Sequence, residues 1–258
     1  MIRQLTESEQ IPFAGSDPFL TRILSLYDCY GTGFDFVRFF VQYAGESPVS
    51  CLSVFEGRMT LYLTDASDTE EIERFVLFSG CTDVMYDAGF MVDFNSDIEL
   101  KGDVLVYQSA AENSFSEIYE PDPASVYDVL KACASEYFRV PSYLPFLSDV
   151  THRKNKGRCT VFGIDRQGVL ASCAMTVSEA KTAVIIGAVA TRPAFQNRGL
   201  SRRIVISLSE KYAKQNKTVY VFSANEKNTR FYENSGFQKI YRFSEKRIGK
   251  IDDAKTVF

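Results

Sequence analysis

The stretch Val189-Ala190-Thr191-Arg192-Pro193-Ala194-Phe195-Gln196-Asn197-Arg198-Gly199-Leu200-Ser201-Arg202 decides how this chain is read. Ahead of it runs Ala183-Val184-Ile185-Ile186-Gly187-Ala188, almost wholly apolar, as in a strand buried on both faces. Behind it Leu200, Ile204, Leu208 and Tyr212 recur every four residues, the stripe of an amphipathic helix. The quoted residues are therefore the turn from a buried strand into a helix. Such a turn presents backbone N–H groups, with the positive end of the helix dipole behind them. Gly199 lets a phosphate come close to the backbone, and Ser201 is nearly as small. Arg198, Arg202 and Arg203 add positive charge. These are the properties of a pyrophosphate site, although a loop with one glycine can also simply connect two elements.

A second stretch changes the weighing: Ser223-Ala224-Asn225-Glu226-Lys227-Asn228-Thr229-Arg230-Phe231-Tyr232-Glu233-Asn234-Ser235-Gly236-Phe237. Together the two resemble the signatures of the GCN5-related N-acetyltransferase (GNAT) superfamily. Its first signature, Q/R-x-x-G-x-G/A, is matched from Gln196 through Gly199 and departs at Ser201. Its second, an asparagine followed by F/L-Y-x-x-x-G-F, is matched by Asn225, Phe231, Tyr232, Gly236 and Phe237. The resemblance covers residues 116–243 and implies an acyl-CoA site with acetyl-CoA as donor. By that likeness the backbone of Val189, Ala190 and Thr191 holds the thioester and pantetheine. Gln196, Asn197, Arg198, Gly199, Leu200, Ser201 and Arg202 form the pyrophosphate loop. Asn225, with Asn228 beside it, contacts the cofactor, and Tyr232 lies near the sulfur and protonates the leaving thiolate.

The chemistry is consistent with a tyrosine acid. A thiol titrates near ~8.5 and a tyrosine near ~10, so the proton transfer is not far from balanced. Tyr232 also reads as a packing aromatic beside Phe231 and Phe237. The base is less clear, because an amine of pKa ~10 is protonated about a thousandfold at neutral pH. The expected fourth strand, residues 183–189, carries no carboxylate, and neither does the fifth, Val219-Tyr220-Val221-Phe222. Tyr220 stands where some relatives carry glutamate. Glu179 and His152 are candidates by residue type only, and His152 sits in a polar run, residues 151–156, that reads as a solvated loop.

Composition limits the alternatives. Of 258 residues, 45% are hydrophobic and 24% charged, which is ordinary for a globular chain. The longest apolar run, residues 183–190, is far short of the ~18–20 residues of a membrane span. No signal peptide is expected from the N-terminus. A net charge of −4 argues against a nucleic-acid binder. Six cysteines, none at C-x-x-C spacing, and one histidine argue against a metal site. Free thiols in a cytoplasmic protein are the expectation.

The expected fold is a mixed α/β (α+β) sheet protein of two GNAT-like lobes. Residues 1–110 form a degenerate GNAT-like or cap domain, and residues 111–258 form the acetyltransferase domain. The first lobe echoes the second: a strand at 59–64, a turn, a helix at 69–78 and a strand at 83–86. Its turn offers Thr69-Glu70-Glu71 in place of a glycine, and those carboxylates repel a pyrophosphate. The leading functional reading is an N-acetyltransferase using direct attack of a small-molecule or peptide amine on the thioester. The others are a non-catalytic acyl-CoA binding or sensing module, motivated by the missing strand carboxylate, and a structural interaction protein. Acceptor identity and oligomeric state are not legible in the residues.

Overall fold

A computed structural model describes residues 1–96, 98–109, 117–134 and 140–248. The chain forms two compact units, neither of them continuous in sequence. Of the described residues, unit 1 holds Met1–Leu105, Phe222–Thr229 and 239–248, and unit 2 holds Val106–Val221 with Arg230–Gln238. The sequence places a boundary near residue 110, with the C-terminal strand in the second lobe. In the structure that strand, from Lys239, packs as part of the first unit.

In unit 1, β1 (Ile2–Gln4), β2 (Val37–Ala44), β3 (Ser47–Phe55) and β4 (Arg58–Tyr62) pair antiparallel in that order. The β3–β4 turn has Glu56 and Gly57 both at positive φ, as a two-residue hairpin requires. From β4 the chain crosses through α2 (Thr69–Phe78) to β5 (Asp83–Asp87), which pairs parallel to β4. The long final strand of the chain, numbered β11 below (Phe237–Arg247), pairs antiparallel to β5. The helix α1 (Pro18–Tyr30) starts where its sequence says: the Asp17 carboxylate accepts from the N–H groups of Phe19 and Leu20, and Pro18 fills the first turn. α1 packs Ile23 with Val37, Phe39 and Val41, while α2 packs Ile72 and Val76 on Met59, Leu61 and Val84.

Unit 2 repeats the scheme. After β6 (Glu99–Tyr107) come α3 (Pro123–Ala132) and α4 (Tyr143–Asn155). Then β7 (Val161–Arg166), β8 (Val169–Glu179) and β9 (Ala183–Thr191) form an antiparallel meander. α5 (Leu200–Ala213) crosses to β10 (Thr218–Ser223), which pairs parallel to β9 from Thr218↔Ala183 to Val221↔Ile186. α6 (Glu226–Glu233) and the start of β11 follow. Unit 1 thus runs four antiparallel strands and unit 2 three, each followed by a crossover helix and a parallel strand, which bears out the echo seen in the sequence. α3 and α4 pack Val126, Leu130 and Val150 against Cys173 and Met175 of β8.

Three sequence expectations are corrected here. His152 is not in a solvated loop: it lies half-buried in the last turn of α4. That helix was hidden because its polar C-terminal half carries few apolar residues, and Arg153, which reads as solvated, is only 6% exposed. The strand β9 is also not buried throughout. Residues 183–186 are buried, but Gly187, Ala188 and Val189 are half-exposed. The edge strand expected at 116–119 reduces to a bridge of Tyr119 with Gly163, and its Ser116 lies outside the described residues. The continuation of the α3 pattern to Tyr137 and Phe138 falls outside them as well.

Candidate functional site

The half-exposed step in β9 is a pair of bulges. Cys173 faces Ala190 and Met175 faces Gly187, so Ala188 and Val189 together stand opposite Ala174. Ala188 has φ 49°, the left-handed region that breaks the pleat. A compensating bulge lies on β8, where Val177 is the extra residue between Thr176↔Ile186 and Ser178↔Ile185. A side chain at position 187 has no room, since a Cβ there would stand 2.8 Å from Val177 Cγ1. Bulged residues drop out of the ladder, so the backbone at Val189 is open for a ligand.

Arg153 holds the β8 bulge. Its guanidinium pairs with Asp149 at 2.9 Å and donates from Nη1 to the Val177 carbonyl at 2.9 Å. A buried guanidinium thus satisfies a carbonyl beside the disrupted ladder. Sequence reasoning missed it; the signal was the Asp149–Arg153 spacing of four on a helix face.

Beyond the bulge the strand end is bracketed to the next helix by hydroxyls. Ser172 Oγ donates to the Ala190 carbonyl at 3.0 Å and lies 2.7 Å from Thr191 Oγ1, which in turn contacts Ser201 Oγ. This explains the serine where the signature has glycine or alanine: its hydroxyl is turned onto Thr191. The Thr191 carbonyl accepts from Gln196 Nε2 at 3.0 Å and from the Cys133 thiol at 3.2 Å.

A short 3-10 turn (Pro193–Phe195) leads into the loop. Asn197 at φ 60° and Gly199 at φ 74° are both left-handed, which turns the chain back on itself before α5. Gly199 is the N-cap of α5 and no side chain caps the helix. Gln196, Asn197, Arg198, Gly199 and Arg202 are exposed, and Leu200 is buried beneath them. Arg198 lies over the Phe195 ring at 5.6 Å, and Arg202 Nε donates to the Asn234 carbonyl at 3.0 Å. Arg203 is committed elsewhere. It and Arg166 both pair with Glu117, and those two hydrogen bonds hold the Glu117 carboxyl below its ordinary range. The open helix start and two exposed guanidinia fit a diphosphate.

Tyr232 packs its ring against Phe231 and Phe237 and is 8% exposed. No partner to its hydroxyl is found among the described residues. Burial alone pushes its pKa up to about 12. Asn225 and Asn228 fall in the stretch that packs with unit 1. There Asn225 Oδ1 accepts from the Asn228 N–H at 2.9 Å and starts α6.

Glu179 lies at the far end of the β8–β9 pair, opposite Val184, roughly 20 Å along the strand from Thr191 at ~3.3 Å per residue. It accepts from the Tyr212 hydroxyl at 2.6 Å and pairs with Lys217 at 2.8 Å. It is a packing ion pair, out of reach of the open β9 backbone at Val189. All six cysteines are free thiols, and five are buried. No helix among the described residues is long and apolar enough to cross a membrane.

Comparison with known proteins agrees with this geometry. Residues 161–248, from β7 to the end of β11, match the model of the FR47-like protein family. No curated protein sequence matches the chain. Among solved structures, a GCN5-related N-acetyltransferase from Sphaerobacter thermophilus is 14% identical, covers 98% of this chain and 97% of its own, and superposes with a TM-score of 0.60. One from Kribbella flavida is 10% identical, with 92% and 98% covered and a TM-score of 0.61. A tandem GNAT protein from the clavulanic acid biosynthesis pathway is 11% identical, with 98% and 99% covered and a TM-score of 0.56. At these identities the likeness is one of fold, and it spans nearly the whole chain.

Proposed function

We propose that this chain, built on the GNAT fold, transfers the acetyl group of acetyl-CoA to an amine, with the donor site in unit 2. The observation that carries the reading is the contrast between its two strand-to-helix turns. At the start of α2, Asp68 accepts from the Glu71 N–H at 3.0 Å, and Glu70 and Glu71 occupy the first turn. That helix start is closed by its own carboxylate and repels phosphate. At the start of α5 there is a glycine, no side-chain cap, and exposed Arg198 and Arg202. We read unit 1 as a GNAT-like unit without a donor site.

When bound, acyl-CoA supplies an activated thioester. The amides of residues 197–202 and the α5 dipole hold the pyrophosphate. The backbone at Val189, with Ala190 and Thr191, meets the thioester oxygen as it gains charge. The Tyr232 hydroxyl donates to the departing sulfur. Assignment of Asn225 and Asn228 to cofactor contact rests on the motif. The acceptor is a small-molecule or peptide amine, and the net charge of −4 favours a cationic one.

β9 and β10 contain no carboxylate, and Glu179 is tied to Lys217. The amine must then arrive neutral, so the acid limb of kcat/KM follows the acceptor's own pKa. Coenzyme A release measured with amines of pKa from about 7 to about 10 checks this: the limb shifts with the amine. A limb fixed at one pH for every amine contradicts it and points to a protein base. Acetyl-CoA binding without release to any amine favours the second reading, a binding or sensing module, which the missing carboxylate also suits.

A further inference from the structure

The hydroxyls of Ser172, Thr191 and Ser201 form a chain across the donor site of unit 2, and their chemistry gives that chain a direction. A hydroxyl has one proton to donate. The Ala190 carbonyl can only accept, so Ser172 spends its proton there, at 3.0 Å. Ser172 Oγ then accepts from Thr191 Oγ1 at 2.7 Å, and Thr191, its proton spent, accepts from Ser201. The protons thus run inward, from the first turn of α5 to the end of β9. Ser172, at the inner end, is buried, while Thr191 and Ser201 are half-buried.

With this direction the Ser201 hydroxyl has no proton left for a phosphate. Donation to a phosphate would reverse the chain. Ser172 Oγ and the Ala190 carbonyl oxygen would then stand 3.0 Å apart with no proton between them, which opposes the reversal. Ser201 offers the loop its backbone N–H, as any residue in a first helical turn does. Its hydroxyl ties that turn to the strand end instead. Thr191 is the knot: its hydroxyl is held from both sides, and its carbonyl accepts from Gln196 at 3.0 Å and from Cys133 at 3.2 Å. Ala190, where the chain ends, follows Val189 of the bulge directly.

We infer that Ser201 is a positioning residue of the donor site. Through Thr191 and Ser172 it sets the strand end that meets the thioester against the loop that meets the pyrophosphate, and its hydroxyl does not bind phosphate. The inference rests on the acetyl-transfer reading of this site.

Calorimetric titration with coenzyme A and steady-state kinetics with acetyl-CoA separate the two ends. Ser201→Ala keeps the affinity for coenzyme A within about twofold, because the loop amides remain. It lowers kcat about tenfold, because the strand end is released from its set position. Thr191→Val keeps the shape, removes both links and lowers kcat in the same way. The double variant is no worse than Thr191→Val alone, since both changes break one chain. A tenfold loss of coenzyme A affinity in Ser201→Ala makes its hydroxyl a phosphate ligand and overturns the inference. Unchanged kcat in Ser201→Ala, or losses that add in the double variant, overturns it too. A wild type that does not bind coenzyme A contradicts the donor-site reading. The same cycle read on Tm then decides the chain by itself: non-additive shifts support it and additive shifts overturn it.

Discussion

Tyr232→Phe leaves the protein folded and lowers kcat by about 10²–10⁴, the usual worth of a positioned acid. The fold survives because the hydroxyl bonds to no described residue, so its removal strands no partner. The ring contacts with Phe231 and Phe237 are kept. The loss in rate follows from what the hydroxyl does when sulfur leaves. With the phenol pushed up to about 12, handing a proton to a thiolate of pKa ~8.5 in water is uphill by about 5 kcal/mol. The gap narrows only for a sulfur desolvated against the phenol, where the same dry surroundings raise its basicity. The proposed acid role of Tyr232 therefore requires a leaving group in contact with it. It stays protonated across the working range, so its own ionisation puts no basic limb on kcat below about pH 11. Steady-state kinetics and a melting curve on the variant check both parts. Unchanged turnover removes the acid role.

Glu179→Ala lowers stability by about 3–5 kcal/mol, the cost of stranding one partner of a buried ion pair. The side chains of Lys217 and Glu179 are only 13% and 8% exposed. Tyr212, whose phenol burial and the Glu179 carboxylate push up, also donates to Glu179. Lys211 reaches Thr160 Oγ1 at 2.9 Å, which joins α5 to the start of β7 through the same cluster. Thermal unfolding registers the loss as a drop in Tm on the order of 10 °C. The double variant Glu179→Met, Lys217→Met recovers most of it, because the cost lies in the orphaned charge. A shift below about one degree in Glu179→Ala contradicts this account of the cluster.

Much of the fold was written locally. The Asp17 cap ahead of Pro18 marks α1 in the chain, the run at 69–78 reads as the helix α2, and Leu200, Ile204, Leu208 and Tyr212 gave α5 its buried face. Features that depend on a partner strand were not legible. Val177 and Gly187 are an unremarkable valine and glycine until β8 and β9 pair, and only then does the clash at 2.8 Å appear. The same holds for β11, whose residues 243–247 pair with β5, more than 150 positions earlier. α4 was hidden by charge, because Arg153 is a surface residue by type and an interior one by its bonds to Asp149 and Val177. Of the candidate site, the loop at residues 196–202 and Tyr232 were visible as motifs. The open helix start, the left-handed turns at Asn197 and Gly199 and the bulge at Ala188 had to be seen in three dimensions.

The central claim is that unit 2 holds one acyl-CoA donor site and unit 1 holds none. Calorimetric titration with acetyl-CoA, on the wild type and on the double variant Arg198→Glu, Gly199→Glu, tests it most directly. The account predicts one site per chain, abolished in the variant by two carboxylates at the uncapped start of α5. Two sites per chain, no binding by the wild type, or binding that survives the double change contradicts it.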